Sequence, residues 1–390
     1  MSLFTHRNMK PFIFAATAFA AFSPPLLAEV MDNPVSSPIQ KPITSIDPID
    51  YANAIPLPLP IVPVGAADMG SIRDASNAVV SEGTLGFSPG AVGSGKESPV
   101  RLAPSGIKGS PAAQPMEFGT SNHPFTTSRV NLEGNTLSKT YPYRAAGKLF
   151  FKIDGASYVC SAALIQPGVV ATAAHCVTAY GGNWYSDWTF VPAYNDGAAP
   201  YGKWKAKVAV VMSSYKYGSD SCAVPGVVCR NDVAVIALTP QGGLISPQLN
   251  YAGNLTGWLG YGWDGYGFTP YNQAQFTQLG YPVSHDAGGL MQRTESLAYV
   301  APALSNNSVW GSRQTGGSSG GPEVVNLGHS SVLSGGVDLG AESTFNVVTG
   351  VTSWGYTDQA VKQQGASPFR SSNIGLLVPA ACSLEPGACD

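Results

Sequence analysis

Residues 315–322 read Thr315-Gly316-Gly317-Ser318-Ser319-Gly320-Gly321-Pro322. Glycine has no Cβ, so such a stretch bends where other residues clash and lets a second chain approach its backbone closely. It also leaves backbone N–H groups free to point at one spot, which stabilising an oxyanion requires. A serine on that turn is a candidate nucleophile. Gly/Ser-rich loops are common, however, so the reading depends on the residues upstream.

Two stretches supply the partners. Thr172-Ala173-Ala174-His175-Cys176 closes an apolar run that includes Ala162-Ala163-Leu164-Ile165 and Val169-Val170-Ala171. A lone histidine in such a place is ordinarily a satisfied core residue. Asn231-Asp232-Val233-Ala234-Val235-Ile236-Ala237-Leu238 opens a short apolar strand with a carboxylate. An acid there is desolvated and needs a cationic or hydrogen-bonding partner. The plain alternative is a turn aspartate at a strand start. Chain order raises the stakes. His175, Asp232, Ser319 is the order of the chymotrypsin-like triad, whereas α/β-hydrolases run Ser-Asp-His and subtilisins Asp-His-Ser. Gly317-Ser318-Ser319-Gly320-Gly321 also fits the hydrolase elbow. That fold needs its histidine downstream, and His329 lies too near to leave room for an acid element.

With those motifs in hand, the sequence resembles the trypsin/chymotrypsin family of serine peptidases. The resemblance rests on Cys160-Ser161-Ala162-Ala163-Leu164-Ile165, the His175 and Asp232 stretches, Gly317–Pro322 and Val351-Thr352-Ser353-Trp354-Gly355. Leu279-Gly280-Tyr281-Pro282 is similar to the bacterial branch that includes the glutamyl endopeptidases. The match runs from about Tyr141 to the C-terminus. It implies His175 as base, Asp232 as its orienting acid and Ser319 as nucleophile. Gly317 and Ser319 would supply the oxyanion-hole N–H groups. Ser353, Trp354 and Gly355 would pair with an extended peptide substrate. Arg313, six residues before Ser319, stands where the family's pattern puts the floor of the primary pocket. A cation there would favour acidic side chains, but Thr352, Ser353 and Trp354 lack the histidine that glutamyl endopeptidases carry nearby, and loop lengths before Ser319 vary, so the alternative reading of Arg313 is an exposed surface residue.

Two departures bear on activation. The family's aspartate before the nucleophile, which pairs with a new N-terminal amine, is Ser318 here, and the activation sequence itself does not occur. A trypsin-style switch is therefore not expected. Removal of a front segment would instead relieve a block or release a folding aid.

Composition frames these motifs. The chain has 390 residues, 44% hydrophobic and 12% charged, with 45 glycines, which points to turns and β structure rather than long helices. A net charge of −3 and the absence of a basic tract give no electrostatic case for nucleic acid or anionic membranes. Residues 1–28 read as a secretory signal: His6, Arg7 and Lys10, then an apolar stretch from Pro11 to Phe22 too short to span a membrane, then Ala28 as a cleavage site. Residues 29–120 are rich in Pro, Gly and Ser. Pro56, Pro58, Pro60 and Pro63 interrupt Ile55, Leu57, Leu59, Ile61 and Val62, which forbids a helix and favours extended chain. This stretch is expected to be a largely disordered propeptide or linker ahead of a peptidase domain over 121–390.

Six cysteines after a signal imply an oxidising compartment and disulfides, with fifteen possible connectivities. The resemblance implies Cys160–Cys176 beside the histidine; neighbour pairing adds Cys222–Cys229 and Cys382–Cys389. No Cys-x-x-Cys pair occurs and the histidines are scattered, so neither a metal nor another cofactor is expected. His123, His285 and His329 read as exposed loop residues.

Predicted strands fall in two groups of six: Lys148–Ile153, Ser157–Ile165, Val169–Thr172, Trp188–Pro192, Val208–Ser213 and Val233–Thr239, then Gln275–Tyr281, Gln292–Val300, Ser308–Trp310, Pro322–Val325, Ser331–Val337 and Thr344–Trp354. They fit an all-β fold of two antiparallel six-stranded barrels with the active site in the cleft between them. The expected protein is a secreted monomeric serine endopeptidase, extracellular or periplasmic, made as a zymogen. It would hydrolyse peptide bonds through an acyl-enzyme. The alternative is a catalytically silent homologue that binds a protein partner through the same cleft.

Overall fold

The computed structural model describes residues 32–40, 47–62, 72–106, 117–120, 123–132, 136–243, 246–328, 345–356 and 361–390. The signal-like segment, His329 and the predicted strand Ser331–Val337 lie outside the described residues.

Two closed barrels of six antiparallel strands form the body. The first comprises β1 (Ala146–Ile153), β2 (Ala156–Gln166), β3 (Val169–Thr172), β4 (Ser186–Pro192), β5 (Trp204–Met212) and β6 (Ala234–Leu238). Their order is β5-β4-β1-β2-β3-β6, and β5 pairs with β6 to close the ring, with Val210 opposite Val235. The second comprises β7 (Gln273–Gly280), β8 (Gln292–Ala301), β9 (Asn307–Gly311), β10 (Pro322–Val325), β11 (Val347–Tyr356) and β12 (Gln363–Pro368). It runs β7-β10-β11-β12-β9-β8 and closes through β7 and β8, with Gly280 opposite Gln292.

The first barrel is built from β-branched and aromatic residues that suit a pleated surface. Phe150, Phe151 and Phe190 are almost wholly buried in its core, each contributing about 1.5–3 kcal/mol. Strands β3 and β6 are buried at every position rather than alternating. One face of β6 looks into the barrel; α1 (Ile374–Leu384) lies against β5 and β6 from outside. That helix buries Ile374, Leu377, Val378 and Ala381, a single stripe at helical spacing. The elements predicted from the sequence end at Trp354 and do not include this helix. All three expected disulfides are present: Cys160–Cys176, Cys222–Cys229 and Cys382–Cys389.

Strand β12 was also missed. Gln363-Gln364-Gly365-Ala366-Ser367-Pro368 carries no apolar alternation, yet every residue is buried. Its polar side chains face partners inside the protein, so the hydropathy pattern is silent there.

The front of the chain, expected to be largely disordered, forms short elements in its described parts. Pro34–Ser36 pairs with β5, Ile55–Pro56 with β2, Ile61–Val62 with β11, Gly86–Ser88 with Gly260–Trp263, and Val100–Arg101 with Ala198–Ala199. These pieces need no core of their own, because they borrow backbone partners from the barrels.

One polar residue in the second barrel is conspicuous. Glu323 on β10 is fully buried, and Ser308 Oγ, 3.4 Å away, is the hydroxyl that reaches it. Burial raises its carboxyl well above the ordinary range, so the folded protein keeps the proton. Above about pH 4.5 the unfolded chain releases that proton and the folded chain does not. The unfolded state then binds fewer protons, and stability falls as pH rises. Glu323→Gln keeps the shape without the ionisable proton. Denaturant midpoints measured from pH 4 to 9 are expected to show a shallower alkaline decline for the variant; identical slopes would contradict this.

Candidate active site

The barrels bring the three predicted residues to one seam. His175 sits on a short turn after β3 and is pinned by Asp232 at two points. Its backbone N–H donates to Asp232 Oδ1 at 2.9 Å, and its Nδ1 lies 2.8 Å from Oδ2. Asp232 is 1% exposed, so this carboxylate is desolvated and its geometry is set by hydrogen bonds. Ser353 Oγ donates to the same Oδ2. Ser367 Oγ accepts the Asp232 N–H at 3.1 Å and donates to the Cys229 carbonyl at 2.8 Å. The preceding residue is held as firmly: the Asn231 N–H donates to Asp220 at 2.7 Å. Burial is the main influence on Asp220, and it moves that carboxyl up to about 6.

Ser319 lies on the glycine turn before β10. Its Oγ is buried and makes no hydrogen bond, and the same is true of His175 Nε2. The serine–histidine hydrogen bond is therefore not formed in this structure. Such contacts commonly tighten only when substrate is bound.

The turn rests on the first barrel. Ser161 on β2 donates its N–H to the Ser319 carbonyl at 2.7 Å and its Oγ to the Gly317 carbonyl at 2.8 Å, and that Oγ accepts the Tyr281 N–H at 3.0 Å. Two glycines permit this approach. Gly320 has φ +76°, and a Cβ there would stand 2.0 Å from Thr172 Oγ1. Gly317 has φ +90°, and a Cβ would stand 2.6 Å from the Tyr281 carbonyl. The Gly317 N–H donates to the carbonyl of Leu57 at 3.0 Å.

Ser318 has no charge to offer, and the turn is held by carboxamides instead. Ser318 Oγ donates to the Thr315 carbonyl at 2.8 Å, and Gln364 Nε2 reaches both Ser318 Oγ (3.4 Å) and the Gln314 carbonyl (2.8 Å). Gln278 Nε2 donates to Gln364 Oε1 at 2.7 Å and to Thr352 Oγ1 at 2.9 Å, while Ser312 Oγ donates to Gln278 Oε1. All these residues except Thr315 are buried. Neither glutamine was singled out from sequence; the pair Gln363-Gln364 at the start of β12 was the available signal.

The remaining expectations fall as follows. Arg313 is exposed, whereas Ser312 and Gln314 on either side are buried. The Trp354 ring packs in a core cluster with Val62, Tyr299 and Val309, and its Nε1 donates to Asn307 at 2.8 Å. Its indole is core packing. His285 is half-buried, its Nδ1 2.8 Å from Ser284 Oγ. Cys160, His175 and Cys176 come close enough to share a metal ion, as do Asp220, Cys222 and Cys229. In both groups the cysteines are disulfide-bonded, which removes the thiolates a metal would need. Among the described residues no helix is long and apolar enough to cross a membrane.

The carboxamide network makes a prediction. Gln364→Met matches the side chain in length but strands the Gln314 carbonyl and Gln278. Leaving a buried polar group unpaired costs about 1–3 kcal/mol, so chemical denaturation should show a lower midpoint. An unchanged midpoint would remove Gln364 from the support of the turn.

The trypsin family model matches residues 138–371, more than half of the chain. A curated relative, "Extracellular metalloprotease" of Bacillus subtilis (strain 168), is 28% identical over 138 residues, 35% of this chain and 37% of that protein. The matched stretch thus spans little more than a third of that relative. Among solved structures, protease Anisep from Arthrobacter nicotinovorans is 23% identical, with a TM-score of 0.48 over 62% of this chain and 96% of its own. A Glu endopeptidase in complex with MPD is 18% identical, with a TM-score of 0.45 over 66% and 96%. With the family model laid across both barrels and both halves of the seam, the chain belongs to the trypsin family of serine peptidases.

Proposed function

We propose that this chain is a secreted endopeptidase in which Ser319, His175 and Asp232 act as a triad. The carrying observation is the double anchorage of His175 on Asp232, facing a serine turn whose Gly317 N–H already binds a carbonyl from another segment.

The roles follow from the chemistry. Serine is a weak nucleophile at its own pKa, so His175 Nε2 takes the Ser319 proton as Oγ attacks the substrate carbonyl. The carbonyl π bond opens, and its oxygen gains negative charge beside the N–H groups of Gly317 and Ser319. His175 then gives the proton to the departing amine, leaving an acyl-enzyme that water hydrolyses by the same steps reversed. Asp232 fixes the tautomer that presents Nε2 to the serine, and it stabilises the imidazolium. Ser353 and Ser367 hold Asp232 in turn. The substrate is an extended peptide that adds as a strand along Ser353–Gly355. The signal-like residues 1–28 and the three disulfides support an extracellular or periplasmic site of action.

Kinetics on a peptide library separate the two serines of the turn. Ser319→Ala is expected to lower kcat by at least about 10⁴-fold with KM little changed. Ser318→Ala should retain most activity, because its side chain serves the turn. Asp232→Asn should cost about 10⁴-fold through the wrong tautomer. A Ser319→Ala variant as active as wild type would place the nucleophile elsewhere, and a folded, trimmed wild type with no activity would leave the silent binding module as the better reading.

A further inference from the structure

The cleft already holds a peptide, and it belongs to the chain. Ile55–Pro56 pairs with Tyr158–Val159 of β2, and the Leu57 N–H donates to the Val159 carbonyl at 2.9 Å. The Leu57 carbonyl takes the Gly317 N–H at 3.0 Å, and the Pro60 carbonyl takes the Gly355 N–H at 3.0 Å. Ile61–Val62 then pairs with Gly355–Tyr356 of β11. Val62 is fully buried in the cluster that holds Trp354, and Leu59 Cδ1 lies 3.3 Å from where a Cβ on Gly355 would stand. Eight residues thus bridge both barrels and use the two backbone donors that a substrate needs.

We propose that residues 55–62 form a tethered, cleavage-resistant plug that keeps the peptidase latent. The inference rests on the function proposed above, and it specifies how that site is regulated.

Three features make the segment a plug rather than a substrate. First, it runs parallel to β11, so the residues after Leu57, not those before it, lie along Gly355–Tyr356. Second, the bond after the Leu57 carbonyl is a tertiary amide to Pro58. The proline Cδ replaces the N–H and crowds the nitrogen that a general acid must protonate. Third, Pro56, Pro58 and Pro60 pre-set the extended backbone, so docking loses little conformational entropy. The tether adds an effective concentration of order millimolar, which suffices to fill the cleft with a peptide of modest intrinsic affinity. A plug of this kind also fits the absence of a charge at Ser318. With the turn held by carboxamides, latency resides in occupancy of the cleft and not in a misformed turn.

The test uses the full-length chain, with intact mass verified during the assay. Val62→Asp places a carboxylate in the buried cluster and should expel the segment; the uncut variant is expected to hydrolyse peptides at least tenfold faster than uncut wild type. Limited proteolysis of the folded wild-type chain should release activity, and added synthetic Ile55–Val62 peptide should inhibit the trimmed enzyme competitively at or below about 1 mM. Should Val62→Asp misfold, the trimmed enzyme and the added peptide decide the matter. Uncut wild type as active as its trimmed form, or no inhibition by the peptide, would overturn the plug while leaving the peptidase intact. An inactive trimmed form that remains folded would overturn the peptidase reading and the plug with it.

Discussion

The close docking of the serine turn on strand β2 is the constraint from which the site follows. Ser161 gives its N–H to the Ser319 carbonyl and its Oγ to the Gly317 carbonyl, and Gly320 admits the contact because it has no side chain. Its neighbour Cys160 is bonded to Cys176, which follows His175. Two adjacent residues on one strand therefore hold both the serine turn and the histidine turn. Relative motion of the barrels would have to break those hydrogen bonds together. Closing the disulfide loop adds about 3 kcal/mol by restricting the unfolded chain.

Beneath the turn, neutral groups do work that an ion pair does in trypsin-like members of the family. Gln364 and Gln278 satisfy Ser318, the Gln314 carbonyl and Thr352 through short buried contacts. A charge at Ser318 would need a counter-charge in a dry site, whereas carboxamides donate and accept without that desolvation cost. The turn is formed while the front of the chain is still attached, which is why the control proposed above acts on access to the cleft.

Much of this was legible in the sequence. The apolar runs of β3 and β6 marked buried strands, the order of His175, Asp232 and Ser319 selected the fold, and cysteine neighbours gave the disulfides. What escaped notice has a common physical origin. Strand β12 and the glutamine network are buried but polar, so they carry no hydropathy signal; only their tertiary partners explain them. Arg313 was placed by counting back from Ser319, and counting cannot tell which side of a loop faces water. The proline-rich stretch was expected to be a largely disordered propeptide or linker. That it could dock by backbone hydrogen bonds on strands of both barrels is invisible in composition, because the partners lie a hundred or more residues away.

The identity of the nucleophile is tested most directly by irreversible phosphonylation. The trimmed, active chain would be treated with an organofluorophosphonate, digested and mapped by mass spectrometry. The expected result is one adduct, located on Ser319 and lost when His175 is replaced by alanine. An adduct on Ser318, or none on a folded and trimmed chain, would contradict the assignment of Ser319 as nucleophile.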